Sequence, residues 1–209
     1  MYKLPFFTEN NLATVIDFMK QYPFAIVTTN GNEYPAASHF PLNILIKENG
    51  KLFLTGHMMK NTDHHKAFEK DGNVLVIFNG PNTYISASWY IKPHEASTWN
   101  YMTVHAKGKI RFTDEAGTLE AVRDITTRYE GSGKGTSFEN LPQEYVMRLL
   151  QAIVGFEIEV MEIDNVFKLS QNHDEETRQR IIQQLLSRGD EQSWAIAKEM
   201  QQRKSVKKQ

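Results

Sequence analysis

Short apolar runs, each closed by a turn signal, follow one another at close spacing between residues 24 and 112. Such a succession, with few crossover helices, specifies an antiparallel barrel rather than a parallel sheet. Residues 24–29 (Phe-Ala-Ile-Val-Thr-Thr) read as a buried strand, and Asn30-Gly31 predicts a two-residue hairpin. The return strand passes Pro35 and continues through His39 and Phe40. Residues 43–47 and 51–57 form a second hairpin around Glu48-Asn49-Gly50. Residues 74–78 are continuously apolar, and Gly80-Pro81 is expected to break that strand. A strand at 84–90, a loop with Pro93 and a long strand at 98–112 follow. Val154, Phe156, Ile158 and Val160 alternate as in a half-buried strand. The fold class is α+β, mainly β: an antiparallel barrel with peripheral helices.

The helices have their own signals. Thr8 is the expected N-cap of a first helix with Leu12, Val15, Ile16 and Met19 at helical spacing, ended by Pro23. Asn61 is the expected cap of a short helix through Lys70 that buries Ala67 and Phe68. A helix over 114–129 carries Leu119, Val122 and Ile125 on one face, and another is entered near Pro142. After Asn172 the chain turns polar. Asp174 caps a helix with Ile181, Ile182, Leu185 and Leu186, and Gly189-Asp190 starts another with Trp194, Ala197 and Met200. Two short helices with narrow apolar stripes require a barrel or a second subunit to pack on. The expected division is a barrel domain over 1–172 and a C-terminal helical extension over 173–209.

The 209 residues suffice for one good-sized domain, and no apolar run approaches the roughly 20 residues that cross a bilayer. The absence of cysteine removes disulfides, thiolate metal sites and a cysteine nucleophile. No secretory signal opens the chain, so the cytoplasm is expected. A net charge of −1 gives no global attraction to nucleic acid, and the basic end, QQRKSVKKQ, reads as a solvated terminus.

Residues 80–108 are chemically the densest part. They hold two tryptophans, three tyrosines and two histidines among serines and threonines. By alternation Ser86 and Ser88 share a strand face with Tyr84 and Tyr90. That face suits a flat polar ligand, or equally a barrel wall whose hydroxyls bond to nearby backbone. Residues 56–61 link a strand end to a helix start, where unpaired N–H groups and the positive dipole end favour an anion, with Lys60 and Lys66 adding charge.

Other motifs fail. Gly131-Ser-Gly-Lys-Gly-Thr lacks the spacing of a phosphate loop and follows a helix. His64 and His65 are adjacent, so they do not chelate as an i, i+4 pair, and no metal is expected. No Gly-x-Ser-x-Gly elbow exists for a serine hydrolase.

Thr55-Gly56-His57, the helix over 61–68, Val74-Leu75-Val76-Ile77-Phe78, the run from Gly80 to Ser86, Ser88-Trp89-Tyr90, Thr98-Trp99-Asn100-Tyr101, Val104-His105, Ile153-Val154-Gly155-Phe156 and Lys168-Leu169-Ser170-Gln171-Asn172 occur together, in order and spacing. In this combination the chain resembles the PaiB family, FMN-binding negative transcriptional regulators of bacteria linked to protease synthesis and sporulation. The resemblance covers nearly everything to residue 172. It implies an FMN-binding split barrel, similar to pyridoxamine-phosphate oxidases and flavin reductase-like proteins, working as a homodimer with flavin in the subunit interface. On that basis His57, Lys60 and Asn61 lie near the phosphate or ribityl chain, with Lys66 where family helices often carry Arg. A Lys there gives a point charge in place of a bidentate fork. Ser86 and Ser88 bond the ribityl chain or phosphate; Trp89, Trp99 and Asn100 line the ring region, with His105 on the following strand. Lys168 and Asn172 reach the site from the second subunit.

The family implies regulation of transcription, with DNA as a partner by resemblance alone. The alternative is a flavin-dependent oxidoreductase passing hydride or electrons between a reduced nucleotide or small substrate and FMN, with His57 and His105 as bases by residue type. A third is an empty barrel acting as a dimeric interaction module.

Overall fold

The computed structural model describes residues 1, 4–92, 94–131, 133 and 135–203. Pro93, Lys134 of the glycine-rich loop and the basic tail past 203 lie outside the described residues. Seven strands make one sheet: β1 (Phe24–Thr29), β2 (Ala36–Pro41), β3 (Asn43–Ile46), β4 (Leu52–Met59), β5 (Asn73–Ile85), β6 (Thr98–Phe112) and β7 (Ile153–Lys168), in the order β2-β1-β5-β6-β7-β4-β3. The pairings β1–β2, β1–β5, β3–β4 and β4–β7 are antiparallel. The helices are α1 (Leu12–Gln21), α2 (Asp63–Lys70), α3 (Glu115–Glu130), α4 (Gln143–Ala152), α5 (Glu175–Arg188) and α6 (Glu191–Gln202). The expected α+β, mainly antiparallel architecture with peripheral helices is therefore borne out.

The chain forms two compact units, Met19–Phe78 with His105–Ile163, and Met1–Phe18 with Asn79–Val104 and Asp164–Gln209. In the first, the sheet's two edge strands, β2 and β3, are consecutive in sequence and joined by Leu42 alone, which is fully buried. β2 also lies against β4, so the sheet rolls round until its edges approach and leaves the barrel split there. Phe40 and Phe156 meet edge to face at 5.3 Å in this core. Gly56 is the register partner of Phe156, and a Cβ at Gly56 would lie 2.8 Å from that ring.

In the second unit, α5 and α6 pack on each other and on the end of β5. Ile181, Leu185 and Ile196 are fully buried, each contributing roughly 1.5–3 kcal/mol. Asn82 N–H donates to Gln192 at 3.0 Å, the Thr83 and Ser193 hydroxyls lie 3.0 Å apart, and Arg188 donates to Thr83 Oγ1 and the Tyr84 carbonyl. Leu186 and Trp194, expected in the apolar stripes, are exposed.

Several local expectations are corrected. Asn11, not Thr8, caps α1, its Oδ1 accepting from Ala13 and Thr14 N–H. A six-residue loop, not a two-residue turn, joins β1 to β2, with Thr29 opposite Ala36. Gly31 is needed there because the loop folds back until a Cβ would collide with the Tyr34 carbonyl. Asn61 takes a left-handed φ of 64°, and Thr62 is the cap of α2. Gly80-Pro81 does not break β5: pairing with β1 covers only Leu75 to Ile77, so the N–H that Pro81 lacks costs no bond in that ladder. The chain instead leaves the strand at Ile85, because Ser86 caps a 3₁₀ turn over Ala87–Trp89. Ser86 and Ser88 therefore do not share a strand face with Tyr84 and Tyr90. In α3 the buried residues are Thr118 and Ala121, while Leu119, Val122 and Ile125 are only half-buried.

Three cations end three helices by donating to their last carbonyls. Lys60 Nζ reaches Leu150 and Gln151 at the end of α4, and Arg128 reaches Lys20 in α1. Arg178 reaches Met200 of α6 and Arg203 just beyond it. At the starts of α5 and α6, Asp174 and Asp190 accept N–H bonds from Thr177 and Ser193, which hold both carboxyls below the usual range. A depressed folded pKa adds stability above the unfolded value that is lost as pH falls through the folded one. The double variant Asp174→Asn, Asp190→Asn is therefore expected to show a shallower fall in melting temperature between neutral pH and pH ~3. An acid limb parallel to wild type would remove the caps as its cause.

Candidate functional site

The sequence-selected residues divide between the two units. In the first, His57 stands half-buried on β4 opposite Gly155, and burial lowers its pKa, so the imidazole is neutral at pH 7. Lys60 is committed to the α4 carbonyls, and its own N–H donates to Ala152. Asn61 is exposed on the turn before α2. His105 is half-buried on β6. Lys66 is exposed on α2 and lines a groove of about 690 Å³ with Lys70, Asp63 and the residue 30–36 segment. Lys70 donates to Asn32 there, and Glu33 also lines the groove, so two ammoniums meet two carboxylates. Lys66 makes no ion pair among the described residues. His64 approaches Ser38 at 3.0 Å while His65 packs tilted against Phe112 at 4.7 Å, so the adjacent histidines diverge, as residues on different helix faces must.

In the second unit the Ser86 and Ser88 hydroxyls bond each other at 2.8 Å in the turn after β5. Trp89 lies beneath the Arg188 guanidinium, 4.6 Å from its ring centroid. Trp99 is 50% exposed, and its Nε1 donates to Asn82 Oδ1 at 3.1 Å while the Tyr84 ring meets it edge-on at 6.0 Å. Asn100, next along β6, points the other way and is fully buried, donating to Ser170 Oγ at 2.9 Å and lying 3.7 Å from Met200 Sδ. The structure thus brings Trp99 together with Tyr84 and Asn82, and Asn100 together with the ends of β7 and α6.

Lys168 and Asn172 line a separate groove of about 430 Å³ with Phe6, Phe7, Tyr90 and Thr98. Lys168 Nζ donates to Thr98 Oγ1, and burial lowers its pKa. Arg188 is not singled out in sequence, and Tyr90 enters only as an aromatic on the face expected to suit a flat ligand. Arg188 meets Trp89 across about a hundred residues of chain, which leaves no local signal.

A family model described as "Putative FMN-binding domain" matches residues 1–162. The chain is 32% identical over 186 residues to "Protease synthase and sporulation protein PAI 2" of Bacillus subtilis (strain 168), spanning 88% of this chain and 89% of that protein. Its fold is similar to that of the FAD and heme binding protein from Mycobacterium smegmatis, with a TM-score of 0.60 at 12% identity over 88% of this chain and 80% of that one. It is also similar to the flavocytochrome Anf3 from Azotobacter vinelandii, with a TM-score of 0.57 at 13% identity over 80% and 72%. At those identities the likeness is one of fold.

Proposed function

The chain belongs to the family described as "Putative FMN-binding domain", and from that membership we propose that it binds FMN. The proposal extends to a cytoplasmic homodimer acting in transcriptional control, with protease synthesis and sporulation as the processes named for the Bacillus relative. The family match over residues 1–162 supports the flavin part of this reading. Residues 1–172 would form the flavin domain and 173–209 its helical extension.

FMN brings a phosphate, a hydroxyl-bearing chain and a flat ring, so it needs cationic or N–H partners and an aromatic or apolar wall. Lys66, exposed and without an ion-pair partner among the described residues, supports a phosphate contact. Trp99, half-exposed and oriented by Asn82, supports a wall for the ring. The Ser86 and Ser88 hydroxyls suit the ribityl chain, and neutral His57 suits a hydrogen bond. When bound, FMN supplies one- and two-electron redox chemistry. Lys66 and His57 belong to the first unit and Trp99, Ser86 and Ser88 to the second, and each is a candidate flavin contact within its own unit.

Titration of the purified chain into FMN is expected to quench flavin fluorescence saturably. Trp99→Ala is expected to weaken that binding about tenfold while the oligomeric state persists. No quenching by wild type sinks the flavin reading, and unchanged affinity in the variant removes Trp99 from the site. Direct control of transcription requires a sequence-dependent, salt-sensitive gel shift. Turnover of NAD(P)H above the free-flavin rate would instead favour an oxidoreductase.

A further inference from the structure

We propose that the groove bounded by Tyr90, Thr98, Lys168 and Asn172 binds a small carboxylate with an aromatic or apolar body, at a place separate from the flavin. The proposal rests on this groove alone and stands independently of FMN binding. Its volume, about 430 Å³, falls within the range of about 300–1,000 Å³ typical of small-molecule sites. Phe6 and Phe7, edge to face at 4.4 Å, give it an aromatic side.

Two of its lining residues carry donors that lack the acceptor their chemistry calls for. The Lys168 ammonium is half-buried, its hydrogen-bond partner is the neutral Thr98 hydroxyl, and no carboxylate pairs with it among the described residues. Burial lowers its pKa. Tyr90 is 7% exposed, and its hydroxyl is shielded from solvent with no hydrogen-bond partner among the described residues. Burial, then Glu95 and Tyr84, raise the phenol pKa, so at neutral pH it keeps its proton and is a donor. Folded proteins rarely leave a buried hydroxyl unpaired, and an unpaired one calls for an explanation such as a bound acceptor.

The polarity of the groove orients such a ligand. Glu95 is its carboxylate, and it lies 3.4 Å from His173 Nδ1, whose ring packs on Tyr90 at 4.7 Å. The Glu95 charge helps raise the Tyr90 phenol pKa, so the carboxylate sits at the Tyr90 and His173 end of the groove. An incoming anion is therefore drawn to the Lys168 end. Ser170 is already committed to Asn100, which leaves Asn172 as the remaining amide at the rim.

The test is a calorimetric titration of sodium benzoate into the full chain, with and without saturating FMN, and of benzamide as the neutral analogue. Benzoate is expected to bind saturably in both conditions and at least about tenfold more tightly than benzamide. Lys168→Met is expected to weaken benzoate about tenfold or more, and Tyr90→Phe about tenfold. Tyr90→Phe removes only an unpaired hydroxyl, so the ligand-free variant is expected to keep its FMN affinity and to melt at or above the wild-type temperature. No saturable benzoate binding, equal binding of benzamide, or indifference to both substitutions overturns the proposal. So does competition between benzoate and FMN, which would make the groove part of the flavin site. If wild type binds no FMN, the FMN-free titration decides the matter by itself.

Discussion

Arg178→Met is expected to cost about 3–5 kcal/mol of stability, the scale of leaving three carbonyls without their donor at about 1–3 kcal/mol each when buried. Arg178 is 1% exposed, although its place on the polar helix α5 suggests a solvated side chain. Its guanidinium donates to the carbonyls of Leu169 at 2.8 Å, Met200 at 2.9 Å and Arg203 at 2.7 Å. One side chain thus joins the residue after β7, the end of α6 and the segment beyond it. Glu175, 3.8 Å from Nε, offsets part of the burial that lowers its pKa. Met fills similar volume but leaves the acceptors without their donor. For a chain of this size the loss corresponds to roughly 10 °C in melting temperature. Arg178→Lys is expected to recover little, because an ammonium cannot span three carbonyls as a planar fork does. A Met variant melting with wild type would show that water replaces the guanidinium at no cost.

Gly155→Ala is the second large effect, at about 3 kcal/mol, combining overpacking with a strained hydrogen bond. A Cβ at Gly155 would lie 2.8 Å from Thr118 Cα, against backbone that has no rotamer in which to retreat. Gly155 N–H also donates to Thr118 Oγ1 at 2.8 Å, and its carbonyl accepts from Thr113 N–H at 2.9 Å. These two bonds seat the start of α3 on β7. Gly135→Ala provides the control, since nothing lies within 4 Å of the added carbon and its φ is not left-handed. The control is expected to stay within about 0.5 kcal/mol of wild type in chemical denaturation. Equal melting of the two variants would remove close approach as the reason for Gly155.

What was legible in the sequence was local. Asp174 caps its helix as expected, and Asp114 and Asp190, expected at the starts of theirs, cap them too, because an N-cap needs only its own side chain and an N–H three residues on. Strand periodicity located β1, β6 and the β3–β4 hairpin for the same reason. Expectations failed where two local rules competed, as at Ser86, where capping chemistry overrode alternation, and at Asn61, where the neighbouring Thr62 took the cap. Alternation itself places Trp99 and Asn100 on opposite faces of β6, a consequence available from sequence. Lys60 read as an anion ligand because the α4 carbonyls that hold it lie about 90 residues away. Arg178 and Arg188 were invisible for the same reason, since their acceptors come from distant segments.

If the chain binds DNA as proposed, Lys60, Arg128 and Arg178, which close the ends of three helices, bear on its response to ionic strength. Salt sensitivity in DNA binding measures how many counterions leave the phosphates when protein cations replace them, about 0.9 per contact. A cation held against the last carbonyls of a neighbouring helix displaces none. The slope of log affinity against log salt would accordingly fall short of a count of basic residues, and the shortfall would report charge already spent on the fold.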